Sequence, residues 1–351
     1  MAKVVIVSLR FNPAFIQFLI AWAKAVRALG HEPAFLLDPG YRRFTELELT
    51  APVFRAEDRR GQAWTHAILL NPSVHNRELA GALKRSGAKI LYVFHEPWQV
   101  SIDHLRTEGP GGTVRAFLAH RATVPVLKLA DTVLLASRRG LDIYESTDAR
   151  FNSNSAYIPL IMDDEAPADV AENFGSKRCF GFIGALSRSH GFDQYVSFMR
   201  EELGRGPDMR FLIASRNPLP SAMLKDPLLQ RNRERIEVRC GRPLNNEEMN
   251  RCYAECFCVW NLYRRSTQSA VLPKAFMFGT PVIASRIGSF PEYVQEGVNG
   301  RFADAGDMAG IRSALVEMRE NLASYAVNCR RTFLSTFFYE SQLPAIERLL
   351  Q

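Results

Sequence analysis

The sequence predicts an α/β protein with two doubly wound parallel sheets, one in each half of the chain. Three observations support this prediction. Short runs rich in β-branched residues alternate with longer apolar segments of helical spacing along all 351 residues. A chain of this length, with 47% hydrophobic residues, can bury two cores more readily than one. An acidic segment of small residues, 163–176, separates the halves and is typical of a linker.

In the first half the order of elements begins with a strand over 3–8, whose β-branched residues are typical of a strand covered on both faces. An apolar helix is predicted over 15–29, because Gly30 then ends the helical spacing. A more polar helix is predicted over 74–86. Chemistry is expected past the carboxyl ends of the strands, where parallel sheets place their binding sites. The further predicted strands are 33–37, 66–70, 89–94, 131–136 and 156–161.

The second half repeats this alternation without repeating the sequence. A helix is predicted over 244–254, because Asn245 or Asn246 can cap its first turn. Residues 332–350 are apolar with helical spacing, which predicts one terminal helix. The predicted strands of this half are 180–183, 210–214, 235–239, 254–263 and 281–285. The predicted division of the chain is a first domain over 1–165, a second domain over 166–331 and the terminal helix over 332–351.

The stretch 261–302 carries the most specific signals. Pro273 suits the first turn of a helix, because its missing N–H would have no partner there. Gly279 can adopt the left-handed conformation that ends this helix, and Pro281 prevents the helix from continuing. A short strand over 281–285 follows and is broken by Gly288, and after it come a second helix and an Asn-Gly turn. The predicted order is loop, helix, strand, helix and turn.

This stretch resembles the donor-side signature of the GT-B glycosyltransferases, specifically the large retaining family four. That family has the pattern E-G-F-G-x-x-x-x-E-A-x-A-x-G-x-P-V-I-A-S, followed by a G-G-x-P-E segment and an N-G turn. Aligned on Gly279, the two family glutamates fall on Ser266 and Lys274. Lys274 can only donate hydrogen bonds, so it can reach a diphosphate but cannot accept from ribose hydroxyls. The positions that the chain keeps are Gly279, Pro281, Val282, Ile283, Ala284, Ser285, Gly288, Pro291, Glu292, Gly297, Asn299 and Gly300.

The resemblance implies a GT-B fold, in which two Rossmann-like domains face an interdomain cleft and the terminal helix crosses back to the first domain. It implies a hexosyltransferase-type enzyme that moves a sugar, with retention, from a nucleotide-sugar to a glycan or polyprenyl-linked glycan acceptor. Neither a cofactor nor a metal is expected besides this donor. The altered glutamates leave two alternatives: a catalytically silent GT-B protein that binds a partner glycosyltransferase or a glycan, and a sugar-nucleotide epimerase of GT-B fold.

The candidate donor site is a loop of small residues before the helix at Pro273, whose N–H groups can hold a diphosphate. A plain helix-entry loop is the alternative. The resemblance also implies an Arg and a Lys in the loop from Gly184 to Gly191, but Ala185 and His190 stand at those positions. Nearby arginines can supply the missing charge, while the carboxylate after Pro291 either contacts the donor or caps its helix. The candidate donor-binding residues are Gly184, Arg188, His190, Arg264, Arg265, Ser266, Thr267, Gln268, Ser269, Lys274 and Glu292.

In the first half, His95 and Glu96 follow the strand over 89–94 and are the candidate catalytic residues. A histidine at the carboxyl end of a strand can accept the proton of the acceptor hydroxyl or orient the acceptor, and an adjacent carboxylate can tune it. Asn71 and His75, past the neighbouring strand, compete for this role, and a purely structural histidine is the other interpretation. The candidate acceptor-binding residues are Asn12, Asn71 and Trp98.

The net charge of +7 is spread over both halves, so nucleic acid is not expected as a partner. Most of the 44 basic residues are arginine, which suits phosphate recognition and also fits genomic base composition. Six cysteines without a secretory signal predict reduced thiols. The C-x3-C-x-C spacing of Cys252, Cys256 and Cys258 favours a buried strand over a metal site.

The sequence predicts a cytoplasmic protein, because no apolar run reaches the length of a membrane span and the first residues have no signal-peptide pattern. The stretch 105–130 is basic and partly amphipathic, with Phe117 and Leu118 among its arginines. Such a stretch could rest on an anionic surface, for example the inner face of the plasma membrane. An ordinary solvated helix is the alternative.

Overall fold

The computed structural model describes residues 1–55, 62–97, 102–172, 175–206 and 208–351. The chain divides into two units. Unit 1 consists of Met1–Asp163 together with Ser335–Gln351, and unit 2 is Asp164–Leu334. Each unit contains a parallel sheet flanked by helices, which confirms the predicted α/β class with two parallel-sheet domains.

The sheet of unit 1 consists of seven described strands: β1 (Lys3–Ser8), β2 (Glu32–Leu37), β3 (Val53–Phe54), β4 (His66–Leu69), β5 (Lys89–Val93), β6 (Thr132–Leu135) and β7 (Ser155–Tyr157). All pairs are parallel, in the order β3-β2-β1-β4-β5-β6-β7. Val4, Val5 and Ile6 of the interior strand β1 have 0% exposed surface, as expected for a strand covered on both faces. The helices before Asp163 are α1 (Ile16–Ala28), α2 (Thr45–Thr50), α3 (Asn76–Arg85), α4 (Ile102–Leu129) and α5 (Arg138–Thr147).

The sheet of unit 2 consists of β8 (Cys179–Ile183), β9 (Arg210–Ser215), β10 (Ile236–Cys240), β11 (Cys256–Asn261), β12 (Val282–Ala284) and β13 (Gly300–Phe302). These strands are parallel, in the order β10-β9-β8-β11-β12-β13. The order reverses beside β8, so the chain winds outward in both directions from the middle of the sheet. The helices are α6 (Phe192–Arg205), α7 (Ser221–Leu224), α8 (Pro227–Arg231), α9 (Asn246–Glu255), α10 (Val271–Met277), α11 (Phe290–Tyr293), α12 (Met308–Glu320) and α13 (Leu322–Thr332).

The end of the chain differs from the single helix predicted over 332–350. Phe333–Phe337 is a π-helix, Tyr339–Gln342 is a 3-10 helix, and α14 covers Leu343–Leu350. The break falls at Phe338, which is extended with ψ 128°. The main chain on either side of Phe338 is hydrogen-bonded to Met162, at 2.7 and 3.0 Å, and a continuous helix could not make this pairing.

One further strand departs from its predicted bounds, and one helix contains an interruption. The strand predicted over 156–161 ends at Tyr157, and Pro159 has no N–H with which to continue a ladder. Helix α4 is interrupted at Gly109, where φ is 71°, while Pro125 lies inside the helix and does not end it. By contrast, α9 begins with the expected cap. The Asn245 side chain accepts from the Glu248 N–H at 2.8 Å, and the Glu248 carboxylate accepts from the Asn245 N–H at 2.9 Å.

Candidate functional site

Three loops leave the carboxyl edge of the unit 2 sheet side by side, because β11 pairs with both β8 and β12. They are the 184–191 loop after β8, the 262–270 loop after β11 and the 285–289 loop after β12. Nine of the predicted donor-binding residues lie in the first two loops, while Lys274 lies in α10 and Glu292 in α11. The topology therefore brings most of the predicted donor residues to one edge of the sheet.

The 262–270 loop is bonded to both of its neighbours. On one side, the Arg264 N–H donates to the Ser189 carbonyl at 2.8 Å. On the other side, the Ser285 hydroxyl donates to the Tyr263 carbonyl at 2.8 Å. These bonds fix the three loops relative to one another at the edge of the sheet.

Two glycines allow this close approach. Gly191 has φ 70°, and a Cβ on it would lie 2.3 Å from the Leu262 carbonyl oxygen. Gly288 has φ 56°, and a Cβ on it would lie 2.1 Å from the Ser266 carbonyl oxygen. Both distances are far below van der Waals contact, so larger residues would push the 262–270 loop away from its neighbours.

The three predicted arginines differ in their partners. Arg264 forms a bidentate pair with Asp193, at 2.6 and 2.9 Å. Partial burial opposes ionisation of Asp193, but its hydrogen bonds to Arg264 and the charge of Arg264 outweigh this and lower its pKa. Arg188 is 72% exposed and lies 3.9 Å from the same carboxylate. No partner for the Arg265 guanidinium is found within the described ranges, so Arg188 and Arg265 are two cations that can meet an anion at this edge.

His190 is held in a fixed orientation at the end of the 184–191 loop. Its Nδ1 lies 3.2 Å from the Ala185 carbonyl, which can only accept, so Nδ1 carries the proton. Its ring centroid lies 4.5 Å from that of Tyr263, and its carbonyl accepts from the Trp260 indole N–H at 3.2 Å. The imidazole therefore lines the junction between the first two loops.

The residues proposed as a diphosphate cradle, Ser266 to Ala270, form a half-buried turn before α10. The Ser266 hydroxyl donates to the Gln268 carbonyl at 2.6 Å, and Ser269 Oγ accepts from the Val271 N–H at 3.3 Å. Burial raises the pKa of Tyr263 to about 12, a shift that a hydrogen bond to Ser269 reduces. Thr267 lies in the same turn. These hydrogen bonds within the turn fix its conformation before α10 begins.

The helix and strand that follow agree with the prediction. Pro273 lies in the first turn of α10, and Gly279 follows the helix with φ 59°, in the left-handed conformation. Glu292 lies in the first turn of α11, where its N–H donates to the Ser289 carbonyl at 3.1 Å.

Lys274 has a partner that the sequence did not suggest. Its side chain is buried in α10, and its ammonium forms an ion pair with Glu165, at the start of unit 2. Glu165 also accepts from the Asn246 side-chain N–H at 2.6 Å, so its two oxygens have separate donors. The ammonium lies 5.6 Å from the centre of the Phe278 ring, one turn further along the helix.

In unit 1, β1, β4 and β5 are neighbours, and the predicted acceptor-side residues follow their carboxyl ends. His95 Nε2 lies 2.6 Å from the Leu70 carbonyl, so Nε2 carries the proton and a base role would fall to Nδ1. The Phe15 ring packs edge-on against the imidazole, with centroids 5.0 Å apart. Glu96 is exposed, and Trp98 lies outside the described residues.

Asn12 and Asn71 belong to one hydrogen-bonded network. The Asn71 side-chain N–H groups donate to Ser8 Oγ at 2.9 Å and to the Arg10 carbonyl at 2.7 Å. Ser8 Oγ lies 2.9 Å from the Tyr41 hydroxyl, which accepts from the Asn12 N–H at 3.2 Å. Asn71 is buried within this network, whereas the competing residue His75 is exposed.

Comparisons with known proteins find a family similar to unit 2 and a fold shared by the whole chain. Residues 177–321, which include all three loops of unit 2, match the family described as "Glycosyl transferases group 1". Sucrose-phosphate synthase from Thermosynechococcus elongatus is structurally similar, with a TM-score of 0.74 over 99% of this chain and 98% of that chain at 14% identity. The chain has the GT-B fold, and its residues 177–321 are similar to the group 1 glycosyltransferases.

Two further solved structures share this fold. HepE from Anabaena, in complex with UDP-glucose, has a TM-score of 0.72 at 17% identity and covers 100% of this chain and 99% of that chain. A variant of S. aureus TarM, in complex with fondaparinux, α-GlcNAc-glycerol and UDP, has a TM-score of 0.73 at 9% identity and full coverage of both chains. No curated protein sequence matches this chain.

Two other expectations concern metal and membrane. Within the described ranges of the chain, no group of three or more His, Cys, Asp or Glu side chains is placed to hold a metal ion. All six cysteines are free thiols, and Cys252, Cys256 and Cys258 are buried. None of the helices among the described residues is both long enough and apolar enough to cross a membrane.

Proposed function

We propose that this glycosyltransferase takes its sugar from a nucleotide-sugar and transfers it, with retention, to a glycan or polyprenyl-linked glycan acceptor. The observation that carries the proposal is the convergence of three bonded loops, with Arg188 and Arg265, at the carboxyl edge of the unit 2 sheet. A nucleotide-sugar leaves a diphosphate, whose charge grows as the glycosidic bond breaks. Cations and fixed N–H groups at that edge suit this charge. The binding of UDP-glucose by HepE, of similar fold, is consistent with such a donor.

Within this proposal the residues of unit 2 have separate tasks. The Ser266 to Ala270 turn and Arg265 contact the diphosphate, and the arginine supplies the charge-assisted bonds. Asp193 holds Arg264 in a bidentate pair, so Arg264 shapes the 262–270 loop. Expulsion of the diphosphate is helped by groups that interact more strongly with the leaving group than with the bound donor.

We assign the acceptor side of the reaction to the edge of unit 1. We propose that His95 accepts or aligns the proton of an acceptor hydroxyl, and the hydrogen bond from its Nε2 to the Leu70 carbonyl supports this role by orienting the ring. Asn12 and Asn71 shape the adjoining surface through their shared network with Ser8 and Tyr41. Glu96, exposed beside His95, is proposed to contact the acceptor.

The possibility of a lipid-linked acceptor is supported by the surface of α4. Four large apolar side chains on this helix are exposed, and arginines are interspersed among them. An amphipathic surface with Arg and Phe or Leu suits the headgroup region of an anionic bilayer. We therefore propose a peripheral membrane contact through α4. The residues concerned are Leu105, Arg106, Val114, Arg115, Phe117, Leu118 and Arg121.

The donor proposal is tested by thermal unfolding with UDP, GDP, ADP, CMP and dTDP, with and without magnesium. A nucleotide at one hundred times its Kd should stabilise the protein by about 2.7 kcal/mol. Loss of a charge-assisted bond in Arg265→Ala should weaken binding of that nucleotide by about 10- to 100-fold. The control is Arg251→Ala, which removes an exposed arginine on α9 and should bind as the wild type does. Absence of a shift with every nucleotide would contradict the donor proposal.

Transfer itself is tested with the sugar conjugate of the nucleotide that binds. Retention predicts that the anomeric configuration of the product matches that of the donor, which NMR of the purified product measures. An inverted product would refute retention but leave the donor site intact. Epimerisation of the donor without transfer to any acceptor would favour an epimerase.

A further inference from the structure

Asn261, the last residue of β11, has an unusual environment. Its side chain has 0% exposed surface. Neither its Nδ2 nor its Oδ1 has a hydrogen-bond partner among the residues that the structure describes. Burying an amide without partners is costly, and most buried polar groups in proteins are satisfied by protein, water or ligand. The Asn261 amide therefore needs a partner that the described part of the chain does not provide.

The topology of the sheet places this amide at the donor edge. β11 lies between β8 and β12, so Asn261 ends the strand beside both the 184–191 and 285–289 loops. Its carbonyl accepts from the Ser285 N–H at 3.2 Å. Asn261 is followed directly by the 262–270 loop. The side chain is thus at the junction of the three loops.

The two faces of the sheet decide where the amide points. Trp260 faces α6, because its ring centroid lies 5.5 Å from that of Tyr195 in that helix. Successive side chains of a strand point to opposite faces, so Asn261 points away from α6. The crossover from β8 through α6 leads to β9, on one side of β8, whereas the crossover from β11 through α10 leads to β12, in the opposite direction across the sheet. Because such crossovers are right-handed, α6 and α10 lie on opposite faces of the sheet. The amide therefore faces the side of the sheet that carries α10.

The chemistry of the amide restricts its partner. Nδ2 donates and Oδ1 accepts, so a partner that satisfies both must accept and donate. Phosphate oxygens only accept and would leave Oδ1 without a bond, whereas a sugar hydroxyl does both. We infer that Asn261 binds a hydroxyl of the bound nucleotide-sugar, on the ribose or on the transferred sugar, and contributes to the choice of donor. This inference rests on the proposed function.

The first test needs no ligand and uses two variants, Asn261→Leu and Asn299→Leu. Asn299 is a matched control, because it is also 0% exposed but its amide makes three bonds, at 2.8, 3.0 and 3.0 Å. Replacing an unpartnered amide by an apolar side chain of similar size should leave the unfolding midpoint unchanged or raise it by about 2 °C or more. Asn299→Leu should lower the midpoint. A similar loss in both variants would show that Asn261 has a structural partner and would overturn the inference.

The second test measures binding of UDP, GDP, ADP, their glucose conjugates and conjugates that lack single hydroxyls. Asn261→Leu should bind about tenfold more weakly than the wild type, and the loss should vanish for the analogue that lacks the paired hydroxyl. A loss already present with the nucleoside diphosphate assigns the hydroxyl to the ribose. A loss confined to the conjugates assigns it to the transferred sugar.

Three results would refute the inference, and they are distinguishable. If the wild type binds these probes and Asn261→Leu binds them equally well, the amide is satisfied by buried water. If the loss is equal for every deoxy analogue, the amide contacts another part of the nucleotide. If the wild type binds none of the probes, the proposed donor chemistry itself fails, and the inference fails with it.

Discussion

Loss of the Glu165 charge should destabilise unit 2 strongly. The side chain of Lys274 is 6% exposed and that of Glu165 is 15% exposed, so both charges of the pair are largely removed from water. Removing one partner of a buried ion pair leaves an uncompensated charge and typically costs about 3–5 kcal/mol. In Glu165→Gln the amide oxygen can still accept from Lys274, so we expect a cost of about 2–4 kcal/mol. For a unit of this size that corresponds to a fall in unfolding midpoint of about 4–16 °C.

The assay is guanidinium unfolding of the full chain followed by circular dichroism, applied to both single variants and the double variant. Lys274→Met should cost less than Glu165→Gln, because Glu165 keeps the Asn246 donor and some contact with water. The double variant, with Glu165→Gln and Lys274→Met, should lose less free energy of unfolding than the two single variants lose together, by about 1–3 kcal/mol.

The control is Glu247→Gln in α9, which loses an ion pair to Arg251 whose side chains are 82% and 58% exposed. Exposed pairs contribute about 0–1 kcal/mol. If Glu165→Gln cost no more than this control, or if the double variant were simply additive, the pair would not carry the stabilisation that its burial implies. The reasoning from burial to stability would then be refuted.

Three further predictions follow from single features of the two units. Gly288→Ala should lower the free energy of unfolding by about 2 kcal/mol or more and weaken nucleotide binding, because the added Cβ would clash with the Ser266 carbonyl. The control is Gly204→Ala in α6, where an added Cβ would meet nothing within 4 Å, so this change should be neutral or stabilising in the same unfolding assay. Burial lowers the pKa of Lys177 to about 8 from 10.5, so between these pH values the unfolded state binds more protons than the folded state. The free energy of unfolding of the wild type, measured relative to that of Lys177→Met, should therefore rise with pH across this range. A difference between the two proteins that does not change with pH would contradict the shift. Leu118→Asp should reduce co-sedimentation with anionic liposomes at low salt, while the control Val316→Asp, at an exposed apolar residue of α12, should not. Absence of binding by the wild type would contradict the proposed membrane contact.

The local elements of unit 2 could be predicted because each depends on a residue with one dominant conformational preference. Pro273, Gly279 and Pro281 bound α10 as expected, since proline restricts φ and glycine permits the left-handed conformation. Asn245 caps α9 for a similarly local reason. Such effects act over a few residues, so the sequence alone reveals them.

The partners within the site could not be predicted, because they join distant parts of the chain. The Arg264 to Asp193 pair spans 71 residues, and the Lys274 to Glu165 pair spans 109. Several acidic residues of unit 2 could equally have faced these cations. The prediction of a single terminal helix was wrong for a related reason. Its helical spacing is genuine, but hydrogen bonds to Met162 impose an extended residue that the segment itself does not encode.

The Lys274 to Glu165 pair also bears on whether the altered donor positions belong to a working site. Aligned on Gly279, Lys274 stands where the family pattern has its second glutamate. A cation buried in α10 without a carboxylate would be strongly destabilising, so this lysine is tolerated only with an acid delivered from elsewhere. Glu165 provides this carboxylate, and the Asn246 side-chain N–H donates to its second oxygen. A site that had merely decayed would need no such partner, since a small apolar residue would fill the space at lower cost. We therefore favour a working donor site that contains this charge pair over a catalytically silent protein. Nucleotide binding separates the two interpretations: binding by the wild type that Lys274→Met weakens, after correction for the stability of the variant, would support the working site. Binding that the substitution leaves unchanged would contradict it.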